Sequence, residues 1–303
     1  FQSGADFTQA GFAYVRFEDA GFEGEATFHE AAFTGDAGFR RVWFARGAAF
    51  DEARFGQDAV FDGSVIEGGA LFRGAVFSGG SRIIKDDASF DTVTFAGRAA
   101  FDHAKFRYAS FSDADFKGEA EFRHVRFEDD ADFPAATFAA EAAFDESRFV
   151  ADSDFSEAQF QAPVRFKGVE FLGDANHYRD SATFVDAAFD DDADFGDATF
   201  TSGDFERTRF AGVADFSDVT VTERLDVAAA TRRDAVIDMS GISLPAGRIV
   251  QPAEGWVRYD LTKASLGEVE LTCVTPGDER ELLDYFRFCD TEFTEFDGQN
   301  FDF

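Results

Sequence analysis

Residues 120–138 read Ala120-Glu-Phe-Arg-His-Val-Arg-Phe-Glu-Asp-Asp-Ala-Asp-Phe-Pro-Ala-Ala-Thr-Phe138. Phe stands at 122, 127, 133 and 138, and two residues before each stands a small side chain: Ala120, Val125, Ala131 and Ala136. Inward positions paired at i−2 and i have the period of an extended chain, in which alternate residues face one side. A helix would need intervals of three and four, which this run does not contain. The pattern extends in both directions: from Phe90 to Phe171 every interval between successive Phe is five or six residues, and over most of the run the two alternate.

Segments this short cannot bury one apolar face alone, so successive units must turn corners and stack as a solenoid. Gly and Asp cluster between the Phe positions, as in Phe77-Ser-Gly-Gly and Phe116-Lys-Gly-Glu, where corners would fall. Sides of five, six, five and six residues predict a four-sided coil of 22 residues with two opposite corners enlarged. The sixth residue is acidic at many of them, with Asp36, Asp58, Asp130 and Asp152 at one corner and Glu25, Glu119 and Glu141 at the other.

The small-x-Phe-x-x spacing resembles the pentapeptide-repeat family, over residues 5–227 almost without interruption and weakly to 303. The resemblance implies an all-β fold, a right-handed quadrilateral β-helix with the large centre residue and the small i−2 residue inside. The departure is the sixth residue in alternate units, since the family's usual unit is five. A second period of 94 residues lies above the first, because the unbroken runs of five-residue intervals start at Phe7, Phe101 and Phe195. Ala48-Ala-Phe-Asp-Glu-Ala-Arg-Phe55 matches Ala142-Ala-Phe-Asp-Glu-Ser-Arg-Phe149 at that offset.

We therefore expect residues 1–227 to form the regular β-helix, as a tandem duplication (7–100 and 101–194) with a partial third copy, and 228–303 an irregular continuation or cap. Phe77 to Phe90 and Phe171 to Phe184 each span 13 residues, read as one side with a protruding loop, around Ile83-Ile-Lys85 and His177-Tyr-Arg179. Pro245, Pro252, Trp256 and Tyr259 suggest wider sides or a cap, and the run around Pro276 to Phe286 a helical turn or two.

Four sides per coil assign every centre residue to a face. Face one holds Phe7, Phe28, Phe50, Phe72, Phe101, Phe122, Phe144, Phe166, Phe195 and Phe216; face two runs from Phe12 to Val221, face three from Phe17 to Val227, face four from Phe22 to Phe210. The outward neighbours at i−1, i+1 and i+2 sum to −8, +1, −8 and −2 for faces one to four. The formal charge of −32, from 60 acids against 28 Lys and Arg, is thus read as two acidic stripes separated by nearly neutral faces.

Composition excludes several classes. The 45% hydrophobic and 17% aromatic content supplies apolar surface enough to oppose disorder despite the charge. A net field of this sign repels polyanions, which argues against direct nucleic-acid binding. Abundant acid with scarce Lys matches cytosolic proteins of salt-accumulating archaea, where molar salt shortens the Debye length to about 3 Å and screens self-repulsion. Two cysteines, Cys273 and Cys289, cannot staple a chain of 303 residues, so a reduced, cytoplasmic setting is expected.

No catalytic, cofactor or metal residue is nominated. His29, His103, His124 and His177 are dispersed and read as surface residues, although His103 and His124 fall at i+2 on adjacent coils of face one. Cys289, beside the centre residue Phe288, reads as a small semi-buried residue. Asp190-Asp-Asp-Ala-Asp194 and Asp129-Asp130 lack the glycine frame of a calcium loop and read as solvated corners. The expectation is a non-catalytic scaffold or protein-interaction module that touches a protein partner through the neutral faces two and four. Two alternatives stand beside it. The family's quinolone-resistance members resemble duplex DNA in width and charge and bind type II topoisomerases, which implies a DNA mimic. Relatives with a Tyr-Phe-Arg-Phe-Cys ending, present here at 285–289, can continue into membrane helices, which implies a cytosolic module tethered through sequence beyond this chain.

Overall fold

A computed structural model describes residues 1–79, 87–173, 181–230, 235–252, 255–273 and 282–297. The chain winds into a parallel β-solenoid of about 11 turns, with almost no helix among the described residues. Its short strands are mostly of two residues, the i−2 to i−1 or i−1 to i pair of each unit. They join 13-, 21- and nine-stranded sheets. The 13-stranded sheet is face one, the nine-stranded sheet is face four, and the large sheet carries faces two and three.

The register assigned from sequence holds rung by rung. Phe122 stacks on Phe101 below and Phe144 above, each at 4.8 Å between ring centres. Phe33, Phe55 and Phe77 stack at 4.6 Å on face two, Phe111, Phe133 and Phe155 at 4.8 Å on face three, and Phe138, Phe160 and Phe189 at 4.8 Å on face four. Across the interior, columns one and three meet edge to face, as Phe122 does with Phe111 at 5.5 Å and 89°. Stacked within a column and T-shaped between columns are the two arrangements the ring quadrupole favours. Alanine or valine at i−2 leaves these rings their room: Ala120, Val125, Ala131 and Ala136 are all at most 1% exposed.

The two kinds of corner differ chemically. After faces one and three the Phe carbonyl accepts from the amide three residues on, as in Ala53 N–H to Phe50 O at 3.0 Å. The third residue of that turn has positive φ: 57° at Glu52, 61° at His103, 54° at Ala135 and 64° at Gly74. That is the sign a type II turn requires. Every such side is five residues long. The six-residue sides all lie between faces two and three or four and one, where the inserted residue's carbonyl accepts from the coil before, as Asp36 O does from Val15 N–H and Glu119 O from Ala99 N–H. Both 13-residue stretches pass from face two to face three, so each counts as a single side of the coil, and their central residues, Ile83 to Lys85 and His177 to Arg179, where protruding loops are expected, lie outside the described residues.

Further along, the coil flattens. From Thr199 the corner between faces two and three straightens, giving continuous strands Thr199–Glu206, Thr220–Ala228, Ser243–Gln251 and Ser265–Cys273. The face-four sheet ends at Arg209–Phe210. Face one continues through Ala235–Asp238, Val257–Asp260 and Phe286–Arg287, with Tyr259 stacked on Phe286 at 5.3 Å. The widened strands begin before Val227, inside the stretch read as regular. The helical turn expected near Pro276 is Leu282–Tyr285, and Pro276 itself lies outside the described residues.

Candidate interaction surfaces

Much of the acid on faces one and three serves the tight corners. Asp154, Asp194, Asp215, Asp238 and Asp260 each stand one residue before a centre residue and accept from the amide two residues on, at 2.8–3.0 Å. A short carboxylate that folds back on its own backbone in this way closes the turn and satisfies an amide the coil would otherwise leave to water. Others bridge coils: Asp51, Asp91 and Asp102 accept from the amides of Arg73, Ser112 and Arg123 in the next turn, at 2.9, 3.1 and 3.0 Å. The sequence reading missed this role. The signal was present, since Asp-Phe-Ser or Asp-Phe-Gly recurs at 154–156, 194–196 and 215–217.

Ion pairs absorb more. Arg207 holds Asp186 at 2.6 Å and Arg41 holds Asp19 at 2.7 Å, which lowers both carboxyl pKa values through the guanidinium bond. Burial pushes Glu121 up, but bonds from Arg123 and Arg98 outweigh it and leave the carboxyl below its ordinary value.

Faces two and four look different. On face two Lys105, Arg126 and Arg148 occupy consecutive rungs in register, a basic ladder in an acidic chain. Arg126 turns toward Glu128, whose carboxyl it lowers, and Arg148 toward Glu170 at 3.1 Å. Face four presents Trp43 and Val65 on neighbouring rungs, 41% and 36% exposed. Trp43 Nε1 donates to Glu67 at 3.1 Å and keeps the ring on the surface.

The residues weighed for chemistry are placed as follows. His103 and His124 lie on adjacent coils, their rings parallel at 4.9 Å, and His124 faces Glu146 at 3.3 Å. His29 lies beside Glu30 at 3.1 Å, and His177 is outside the described residues. Among the described residues no three His, Cys, Asp or Glu converge as metal ligands would. Cys289 is exposed rather than semi-buried, because it follows the centre residue Phe288 and so occupies an outward corner position, its carbonyl taken by Lys263 N–H. The 190–194 acids are spread over a corner: Asp190 pairs with Arg209 at 2.9 Å, Asp192 accepts from Val213 N–H at 2.8 Å, and Asp194 caps Gly196. No helix among the described residues is long and apolar enough to cross a membrane.

Four stacked ring columns behind short parallel strands define a non-globular class, the aromatic-cored β-solenoids, and the units within it are recognisable. A model of pentapeptide repeats, nine copies long, matches residues 17–65, 83–126 and 122–170. The chain is a pentapeptide-repeat protein. Comparison with curated proteins finds no match. Among solved structures it is similar to HetL, a pentapeptide repeat protein involved in heterocyst differentiation regulation from the cyanobacterium Nostoc sp. strain PCC 7120, at 13% identity over 88% of this chain and 89% of that chain, with a TM-score of 0.25. It is also similar to full-length QnrB1, a plasmid-mediated fluoroquinolone resistance protein, at 11% identity over 96% and 91% of the two chains, with a TM-score of 0.27. A trypsin-treated form of QnrB1 gives 14% identity, 96% and 87% coverage and 0.28.

Proposed function

We propose that this solenoid is a non-catalytic scaffold that engages protein through faces two and four. The supporting observation is how the charged groups divide. Acids on faces one and three are bound into corners and ion pairs, whereas faces two and four leave flat, nearly neutral strips of parallel strand. Hydrating a carboxylate is easily done and stripping its water is expensive, so the strips are the surfaces a partner can cover at least cost.

A second reading, a DNA mimic, draws on the acidic stripes. Face one carries −8 over ten rungs, and with strands about 4.8 Å apart that is roughly one charge per 6 Å, against one per 3.4 Å along a strand of duplex DNA. The stripe reaches about three fifths of the target density, and many of its carboxylates already hold backbone amides. Gyrase supercoiling assayed with the chain at low and high salt tests this reading; no inhibition at either removes it.

The scaffold reading is tested by placing a photoreactive residue at Val76 on face two, Thr137 on face four, Ser156 on face three or Ser217 on face one, in the native host. Crosslinks to protein should arise from Val76 and Thr137. Crosslinks arising only from Ser156 and Ser217 would overturn the assignment.

A further inference from the structure

Face four has nine rungs, and the fifth, Asp115 with Lys117 at 3.5 Å, carries no net charge. The fourth and sixth rungs present Thr94 with Ala96 and Thr137 with Ala139, small and uncharged. The second and eighth are unlike each other and fit together: Trp43 projects from one, and Ala188, 4% exposed, leaves the other flat. At the edges of those same rungs stand Arg46 and Asp191, both exposed, opposite in charge, and in no ion pair among the described residues.

We propose that face four binds a second copy of this chain, face to face, with the solenoids antiparallel and the two-fold axis along the Asp115 rung. The proposal rests on the scaffold reading and names the occupant of one of its two faces. Such an axis brings the second rung of each copy onto the eighth of the other, so residues pair reciprocally as an isologous contact requires. Trp43 then packs on the partner copy's Ala188, Arg46 meets Asp191, and the Thr-Ala rungs close against each other between sheets about 10 Å apart. Pairing face one or face three sets a −8 stripe against its own image, and pairing face two sets the Lys105, Arg126 and Arg148 ladder against its own image. Among the four faces, four is flat, uncharged at its centre and complementary to itself.

Eight steps of about 4.8 Å make the face about 38 Å long, and a width of about 15 Å gives roughly 600 Å² a side. That is below the roughly 800 Å² a side of a standard stable complex, so the dimer should be a weak one with micromolar dissociation. The sign of its salt dependence is distinctive. Repulsion between two acidic chains reaches about 10 Å at 0.1 M salt and about 3 Å at 1 M, so association should tighten as salt rises, the reverse of a contact held by ion pairs.

Sedimentation equilibrium of the full chain at about 0.1 M and about 2 M KCl tests this directly. A monomer–dimer equilibrium that tightens at high salt is expected, with Trp43→Ala weakening it by at least about tenfold, since the two-fold axis makes one substitution remove two aromatic contacts. Moving the bulk to the facing rung, in Trp43→Ala with Ala188→Trp, should restore it, because the two-fold axis brings the new knob onto the new hole. Circular dichroism melts confirm that both variants remain folded. A chain monomeric at both salts near 100 µM, above the micromolar range expected of an interface this size, overturns the proposal. So does a dimer that Trp43→Ala leaves unchanged, or one that the double substitution fails to restore. A monomeric chain that still crosslinks to protein from Val76 loses only the dimer; one that crosslinks from neither Val76 nor Thr137 loses the scaffold reading as well.

Discussion

The four-sided coils and the flattened ones that follow them solve one problem with different side chains. Up to Phe189 each coil is four-sided, and up to Phe210 the interior holds one large centre residue for each of the four faces, Phe in all but one case, the exception being Ile66. Beyond Phe216 the interior includes Val221, Leu225, Val227, Ile237, Met239, Leu244 and Ile249, all at most 3% exposed, and the corner between faces two and three, straightened first at Thr199–Glu206 with Phe200 and Phe205 still in place, is lost in nine-residue strands. The ladder of backbone hydrogen bonds continues through both, so it does not decide the shape. Side-chain volume accompanies the change: four rings fill each square coil, whereas past Phe210 the nine-stranded sheet ends and mostly aliphatic side chains fill the space between the two sheets that continue. The corner that gives way is also the one that carries every change in side length, from five to six to 13 residues. The tight corners after faces one and three never vary within the square coils.

The largest expected effect comes from the square core. Phe122 touches Phe101 and Phe144 in its column and Phe111 and Phe133 across the interior. Phe122→Ala should cost about 3 to 5 kcal/mol, since rigid neighbouring rings cannot collapse into the gap. Leu225→Ala in the flattened part should cost about 2 to 4 kcal/mol, with more of the cavity closed by sliding of the two layers. Urea unfolding, with hydrogen exchange to locate the loss in a chain long enough to open in parts, measures both. Equal losses would break the distinction between a propped coil and a collapsed one.

The legibility of this fold follows the same division. A Phe every fifth or sixth residue has one explanation, and it delivered the rungs of all four columns up to Phe216, including Ile66 in a Phe position, together with the position of the 13-residue sides between faces two and three. Where Phe gives way to Val, Leu and Ile the spacing fades, because small aliphatics fill either a corner or a straight strand, and the end of column four at Phe210 could not be read; the straightening at Thr199 was hidden for the opposite reason, since Phe195, Phe200, Phe205 and Phe210 keep the same five-residue spacing as a cornered coil. The surfaces were legible as net charge and illegible as bonding. Asp215 counts as −1 in a stripe, yet its Oδ1 is spent on Ser217 N–H at 2.8 Å, and only the turn geometry shows it. Cys289 was misjudged for the same reason, since the residue after a centre ring, here the partly buried Phe288, points outward when it begins a corner.

The contrast between tight and wide corners is testable with one side chain. Ala135 is the left-handed residue of a tight corner at φ 54°, while Ala139 follows face four on a wide side with no positive φ. Ala135→Val should destabilise by about 1 to 2 kcal/mol, since a β-branched residue crowds the backbone there. Ala139→Val should change stability by less than about 0.5 kcal/mol. Thermal melts of the two variants make the comparison, and matching effects would mean the corners are mechanically alike.

A smaller effect is expected where a hydroxyl is inserted into a tight corner. Val125 N–H donates to Ser147 Oγ at 2.8 Å, and the same hydroxyl donates to Phe122 O, splicing the second coil into the turn of the first. Ser64 does the same at Val42 and Phe39. In Ser147→Ala the Val125 amide can return to the Phe122 carbonyl, as at every unspliced corner. The loss should therefore stay near the low end of a hydrogen bond's net worth, about 0.5 kcal/mol. Loss of exchange protection at the Val125 amide without a wider change would show that the serine ties the coils rather than holding the corner itself.

The smallest effect concerns an acid that the coil tolerates. Asp91 follows the centre residue Phe90 on face three; burial raises its carboxyl pKa from the ordinary 3.8, bonds from Ser110 and the Ser112 amide pull it back, and the Asp62 and Asp113 charges raise it again. The net direction is up, so the folded protein holds this proton more tightly than the unfolded chain. The ionised form is therefore a cost at neutral pH, a cost relieved as pH falls through the raised value toward 3.8. Asp91→Asn keeps an acceptor for the Ser112 amide and removes the charge, so it should stabilise the protein at pH 7 by a few tenths of a kcal/mol once solvent screening is allowed for. The advantage over the parent should shrink as pH is lowered into the carboxylate range. Urea midpoints of the two proteins, followed from pH 7 downward, give the sign: a variant less stable than the parent at pH 7 would make Asp91 a corner acid like Asp215, held in place by the bonds it accepts rather than tolerated in spite of its charge.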